Sequence, residues 1–135
     1  LSGLQQILVW KKESVDKYIV DSDIIIWFLR GREQEAKLLE KLSNNGIPRC
    51  SVISIAEVRA GLVKHPEKIL KQLKAIFAPL DVSFEIAEKA GSFKQKYRLD
   101  IADMLIAATA QATESMLVTY NKKHFPMPEV KLYKF

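Results

Sequence analysis

Apolar and polar positions along the chain alternate in a way that predicts short strands separated by amphipathic helices. Tyr18-Ile19-Val20 is a β-rich apolar run ending at Asp21, and the IIIWFL segment after it leads to Arg30-Gly31, a helix stop. This predicts a strand and then a helix. From Glu33 to Leu42, the residues Ala36, Leu38, Leu39 and Leu42 recur at helical spacings ahead of Asn44-Asn45-Gly46, the pattern of an amphipathic helix closed by a turn. Arg49 to Ile53 reads as a second strand. Ser54 to Leu62 then reads as a helix, with Ser54 as N-cap and Glu57 three residues on, together a capping box. Pro66 opens a helix with Ile69, Leu70, Leu73 and Phe77 on one face, and Pro79 to Val82 reads as a short strand. Ser83 caps a helix running to about Tyr97, weakened in its middle by Gly91. Asp100 caps the next helix, whose LIAATA segment is apolar nearly all round and is expected to be buried. Met116 to Thr119 and Val130 to Tyr133 are the last strands. Trp27 and Phe28 are expected in the core, and His65 and His124 at the surface.

Strands separated by helical segments imply parallel pairing with helices on both faces of the sheet, so the class is α/β. In open parallel sheets, ligands bind beyond the carboxyl ends of the strands. Asp21 ends the first strand, Glu57 lies just past the second, and Asn121 lies just past the Met116 strand. Asp103 sits in the first turn of the helix that feeds that strand. These side chains are therefore expected to converge at one edge.

Composition narrows the class further. The 135 residues are 48% hydrophobic and 27% charged, which suits one folded domain and excludes disorder. No apolar run approaches the ~20 residues that span a bilayer, and a single cysteine, Cys50, allows no intramolecular disulfide. A reducing cytoplasm fits best. The net charge of +5 is unevenly placed: residues 59 to 98 carry nine basic against four acidic side chains, whereas the flanking segments balance. Such a band suits a polyanion such as RNA, and equally suits the solvated faces of two lysine-rich helices.

Several carboxylates brought together repel one another and call for a counter-charge. Mg²⁺ or Mn²⁺ takes oxygen ligands and shares its shell with substrate phosphate, the chemistry of metal-assisted phosphodiester hydrolysis. Zinc is disfavoured because Cys50, His65 and His124 have no recognisable ligand spacing. P-loop and dinucleotide fingerprints are absent from the sequence. Each acidic residue also has a structural reading: Asp21 as the cap of the following helix, Glu57 as part of its capping box, and Asp100 with Asp103 as a second cap pair. Asp23 can face solvent, while Thr119 and Asn121 can be ordinary strand-end and turn residues.

Four segments in order, YIVDSDIIIWFL, SVISIAEVRAG, IADMLIAATA and LVTYNKKHFP, resemble the PIN-domain ribonucleases and, among them, the VapC-like toxins of toxin–antitoxin pairs. The resemblance spans roughly Tyr18 to Tyr133. It implies a three-layer α/β sandwich with a central parallel sheet of about five short strands. It further implies a Mg²⁺- or Mn²⁺-dependent endoribonuclease in which Asp21, Glu57 and Asp103 hold the cation while Asn121 and Thr119 position water or ligand. The choice of Asp103 over Asp100 comes from this match. A homodimer, an RNA substrate and a cognate antitoxin that covers the site are implied with it, and no membrane. The sequence departs from many relatives in having Asp23 where they carry Asn, and Asn121 where others carry a fourth acid, which leaves the number of metals open. Residues 1–17 are expected to be an added remnant, a fragment boundary or a docking arm, ahead of a nuclease domain at 18–135. Two other functions compete. One is a non-catalytic RNA-binding or scaffold domain of the same fold, and the other is a haloacid-dehalogenase-type phosphatase, suggested by Asp21-Ser22-Asp23 but lacking the paired acids after a late strand.

Overall fold

The computed structural model of the chain describes residues 16–135; the expectation for the N-terminal extension lies almost wholly outside the described residues. Strand β1 (Asp16–Val20) begins two residues ahead of the expected run and is followed by α1 (Ser22–Leu29), α2 (Glu33–Asn45) and β2 (Gly46–Arg49). Helices α3 (Val52–Gly61), α4 (Pro66–Phe77), α5 (Phe84–Tyr97) and α6 (Ile101–Ala112) then precede β3 (Met116–Val118) and a 3₁₀ turn at Lys122–His124.

The sheet has three parallel strands in the order β2-β1-β3, with Asp16 opposite Gly46 and Val20 opposite Val118. Two more segments join it through single parallel bridges, Ser51 with Leu80 and Leu117 with Leu132. These are the places where the hydrophobic pattern puts two further strands. Each makes only one rung, and Pro79 beside Leu80 has no N–H to extend the first of them.

Side chains of β1 alternate between two cores, as the period of a strand requires. Ile19 packs with α5 and α6 residues such as Phe93, Met104 and Ile106. Tyr18 and Val20 face Ile24, Leu42, Val58, Leu73 and Phe77, contributed by α1 to α4. The three layers follow from that alternation. Gly46 is required where β2 meets β1, since a Cβ there would lie 2.0 Å from the Asp16 carbonyl oxygen. Gly31, at φ +82°, makes the left-handed turn that stops α1.

Helices α4, α5 and α6 start where the sequence places them. Ser83 Oγ accepts from the Ile86 N–H at 3.2 Å and Asp100 Oδ1 from the Ala102 N–H at 3.2 Å. The second strand and the helix after it are shifted. β2 ends at Arg49, and Ser51 rather than Ser54 caps α3, its Oγ accepting from the Ile53 N–H at 3.1 Å. The segment carries two serines three residues apart, and the strand-to-helix turn takes the earlier one because Cys50 and Val52 are already bonded to Leu80. Ser54 Oγ is left buried without a hydrogen-bond partner. Glu57 therefore lies in the second turn of α3, outside any capping box. Trp27 is 37% exposed rather than in the core, with the Arg30 and Arg32 guanidinium groups over its ring at 5.1 and 4.3 Å, and Phe28 is only half-buried. Ala36 is exposed on α2, and Glu35 is buried in its stead.

The cap assignment has a direct consequence. Ser51→Ala should cost about 1 kcal/mol, the usual value of a serine cap, and Ser54→Ala should be neutral or slightly stabilising, because it removes an unsatisfied buried hydroxyl. Urea midpoints of the two variants check this.

Candidate active site

The site is built where β1 and β3 end side by side. The Asp21 N–H donates to the Val118 carbonyl at 2.9 Å, so Asp21 leaves the sheet directly beside Thr119. Its side chain is 3% exposed and doubly held: Oδ1 accepts from the Ser22 N–H at 2.8 Å, capping α1, and Oδ2 accepts from Thr119 Oγ1 at 2.7 Å. The cap reading of Asp21 is thus correct and does not exhaust its role. Ser22 Oγ donates to Glu57 Oε1 at 3.1 Å and lies 3.5 Å from Asp21 Oδ1, linking α1 to α3 across the edge of the sheet.

Asp23 does not face solvent. From the first turn of α1 its Oδ2 accepts from the Tyr120 N–H at 3.2 Å and from Asn121 Nδ2 at 3.4 Å. The Asn121 N–H in turn donates to Thr119 Oγ1 at 3.0 Å. The segment after β3 is therefore fastened both to the cap of α1, Asp21, and to Asp23 in its first turn. Asp103, in the first turn of α6, has His124 Nδ1 3.0 Å from its Oδ2. His124 is exposed, as expected, and yet belongs to the site; its signal in the sequence was only its place three residues after Asn121. Ser22 was equally silent, a hydroxyl between two acids. His65 caps α4 and Cys50 is buried in the core, its thiol pushed up to about 12 by burial.

The electrostatics show how closely these acids sense one another. Burial, then the Asp21 charge, pushes the Asp23 carboxyl up to about 6. Asp21 is raised chiefly by burial, against the pull of its hydrogen bonds to Thr119 and Ser22. Glu57 is raised by burial and then by Asp21, Asp103 and Asp100, and Asp103 by burial and then by Asp21, with His124 opposing. Among the described residues, no three acids, histidines or cysteines stand close enough to hold an ion as they are now arranged. The donor set nevertheless fits a hard divalent cation: it consists of carboxylate oxygens, lined with hydroxyls and an amide.

A parallel α/β sandwich with this carboxylate cluster beyond the carboxyl ends of its strands is the class that fold and site define. The PIN-domain family model matches residues 18–129, and the chain belongs to that family. It is 34% identical over 116 residues to Ribonuclease VapC10 of Mycobacterium tuberculosis, covering 82% of this chain and 87% of that protein. It is 36% identical over 118 residues to Ribonuclease VapC19 of the same organism, covering 81% and 92%. Among solved structures, a toxin–antitoxin complex from Klebsiella pneumoniae contains a chain that superposes with a TM-score of 0.74 at 30% identity, over 88% of this chain and 100% of that one.

The raised carboxyls set a pH dependence. Asp23 keeps its proton in the folded state up to about 6, above its ordinary 3.8, so its contribution to stability is full below the ordinary value and is lost as pH rises through about 6. Asp21, Glu57 and Asp103 are shifted in the same direction. Metal-free protein should melt about 2–5 °C higher at pH 5 than at pH 7.5, the size expected of ~1 kcal/mol left after solvent screening. Scanning fluorimetry in chelator across that range checks it.

Proposed function

We propose that this chain is a Mg²⁺- or Mn²⁺-dependent endoribonuclease and the toxin of a toxin–antitoxin pair. The observation that carries the reading is the cluster of Asp21, Asp23, Glu57 and Asp103, all raised by burial, with neighbouring carboxylates adding to the rise at Asp23, Glu57 and Asp103 and His124 opposing it at Asp21 and Asp103. The relatives' names, ribonucleases, give the reaction class. In this reading Asp21, Glu57 and Asp103 hold the cation. A divalent ion there supplies Lewis acidity toward a phosphodiester oxygen and a lowered pKa for the attacking water. Thr119 keeps Asp21 oriented through its 2.7 Å hydrogen bond, Ser22 does the same for Glu57, and Asn121 fixes the edge of the cluster through Asp23. Products would carry 5′-phosphate and 3′-hydroxyl ends.

Exposed basic side chains neighbour the acids along the chain. Lys94, Lys96 and Arg98 are exposed at the end of α5, two residues ahead of Asp100, and Lys122 and Lys123 are exposed in the 3₁₀ turn beside His124. Backbone phosphates attracted to these cations would be brought toward the carboxylates. The Klebsiella relative is a toxin–antitoxin complex, which supports an antitoxin partner for this chain. A homodimer, a cytoplasmic setting and a catalytic unit at 18–135 complete the reading. No helix among the described residues is long and apolar enough to cross a membrane.

Two substitutions test the site and the surface separately. Glu57→Gln keeps an oxygen to accept from Ser22 Oγ and removes one charge from a repelling set, so the metal-free melting temperature should hold or rise. Stabilisation by added Mn²⁺ should shrink, and cleavage of RNA should fall roughly 100-fold or more. Cleavage at the parent rate would leave Glu57 out of the chemistry, and a parent that never cuts RNA with Mn²⁺ would favour the scaffold reading. Replacing Lys94, Lys96 and Arg98 by glutamine together should weaken RNA binding and reduce its log–log salt slope by roughly 2, leaving Mn²⁺ affinity unchanged. Filter binding across a salt series measures it.

A further inference from the structure

One buried charge is not used by the site as described. Glu35 is 0% exposed, although a carboxylate in a protein interior is costly unless every oxygen is partnered, and apolar packing would usually serve stability as well. Its oxygens are fully engaged. The Arg32 guanidinium donates to both, through Nε to Oε1 and through Nη2 to Oε2 at 2.7 Å, and the Tyr120 hydroxyl also donates to Oε2. These bonds hold the Glu35 carboxyl down at about 2. Arg32 is itself immobilised, its guanidinium over the Trp27 ring at 4.3 Å and its N–H on the Trp27 carbonyl at 3.2 Å.

The far end of this chain of contacts is the catalytic edge. Tyr120 lies between Thr119, which donates to Asp21, and Asn121, which donates to Asp23, and its own N–H donates to Asp23 at 3.2 Å. Its ring rests on Phe135 with centroids 5.1 Å apart, so the hydroxyl on Glu35 is the directional tie of its side chain, beside the backbone bond to Asp23. We propose that Glu35, acting through the Tyr120 hydroxyl, is a positioning residue that holds the Thr119–Asn121 segment in register with Asp21 and Asp23. The claim rests on the nuclease reading of that edge. Without the tie, the segment keeps its strand pairing and loses its angle, and the aspartates lose the donors that aim them.

The test uses the full chain with Tyr120→Phe, and with Tyr18→Phe as control. The Tyr18 hydroxyl bonds Asp16 at 3.4 Å, at the start of β1 and away from the acids. Three readouts are taken: Mn²⁺ affinity by calorimetry, kcat and KM on a defined RNA, and hydrogen exchange at the Tyr120 amide. Tyr120→Phe should bind Mn²⁺ roughly 10-fold more weakly, lose kcat by a similar factor at unchanged KM, and exchange faster at Tyr120, with Tyr18→Phe like the parent in all three. Glu35→Gln, which keeps an acceptor for the hydroxyl, should fall between. Parental affinity, kcat and exchange in Tyr120→Phe would overturn the proposal. If the parent neither binds Mn²⁺ nor cuts RNA, the nuclease reading fails, and the exchange rates still decide: faster in Tyr120→Phe alone upholds the positioning role, and equal rates overturn it.

Discussion

The parallel pairing of β1 with β3 is the constraint on which the site depends. Its last rung, from the Asp21 N–H to the Val118 carbonyl, brings together residues nearly a hundred positions apart and leaves Thr119 Oγ1 2.7 Å from Asp21. Parallel strands end on the same side, so the helices that follow β1 and β2 also begin there, α1 capped by Asp21 and α3 by Ser51. Their N-termini carry partial positive charge and free N–H groups. Helix α6 brings Asp103 to the same edge from its own first turn, close enough for the Asp21 charge to act on it. One topological choice thus collects acids from three helices and aims dipoles at them.

Magnitudes decide whether those dipoles suffice. A helix N-terminus stabilises a nearby anion by about 0.3–1 kcal/mol at exposed positions. Two unit charges ~4 Å apart repel by ~4 kcal/mol at an effective dielectric of ~20. Burial wins at all four, joined by repulsion at Asp23, Glu57 and Asp103, which is why Asp21, Asp23, Glu57 and Asp103 are all raised despite the hydrogen bonds that several of them accept. The strain is carried by the rest of the fold: Ile19 and Val20 beside the site are anchored in separate apolar cores, so the edge cannot relax by parting the strands.

Most helix starts and two of the strands were legible because their signals are local. Ser83, Asp100, Pro66 and Gly31 act within a turn of themselves, and β1 and β3 announce themselves as short apolar runs. Reading failed where two local signals tied or where the partner was remote. Ser51 and Ser54 both fit a cap, and the strand bridging of Leu80 to its neighbours chose between them. The burial of Glu35 depends on Tyr120, 85 residues away, so helical periodicity offered Ala36 for that face. Trp27 looked like core because it sits in an apolar run, and only the folded turn shows Arg30 and Arg32 covering it. Asp21, Glu57, Asp103, Thr119 and Asn121 do come to one edge. Asp23, Ser22 and His124 join them through contacts that no spacing encodes.

Capping and catalysis are usually set against each other as explanations of an acidic residue at a helix start, yet a carboxylate has room for both. It offers about four lone-pair sites. Asp21 uses Oδ1 for the Ser22 N–H and Oδ2 for Thr119, while the Ser22 hydroxyl has one proton and Glu57 is the nearer acceptor, 3.1 Å against 3.5 Å. Asp21 therefore keeps acceptor capacity while both its oxygens are held in place. Around Asp103 the labour is divided differently: Asp100 takes the cap with its Oδ1, and Asp103, one turn on, gives an oxygen to His124 and keeps the other. At Asp21 the hydrogen bond that stabilises the helix start also helps fix the direction of the remaining lone pairs, whereas at Asp103 His124 does so. The contact that lets α1 form thus also leaves the Asp21 carboxylate held in place with acceptor capacity to spare.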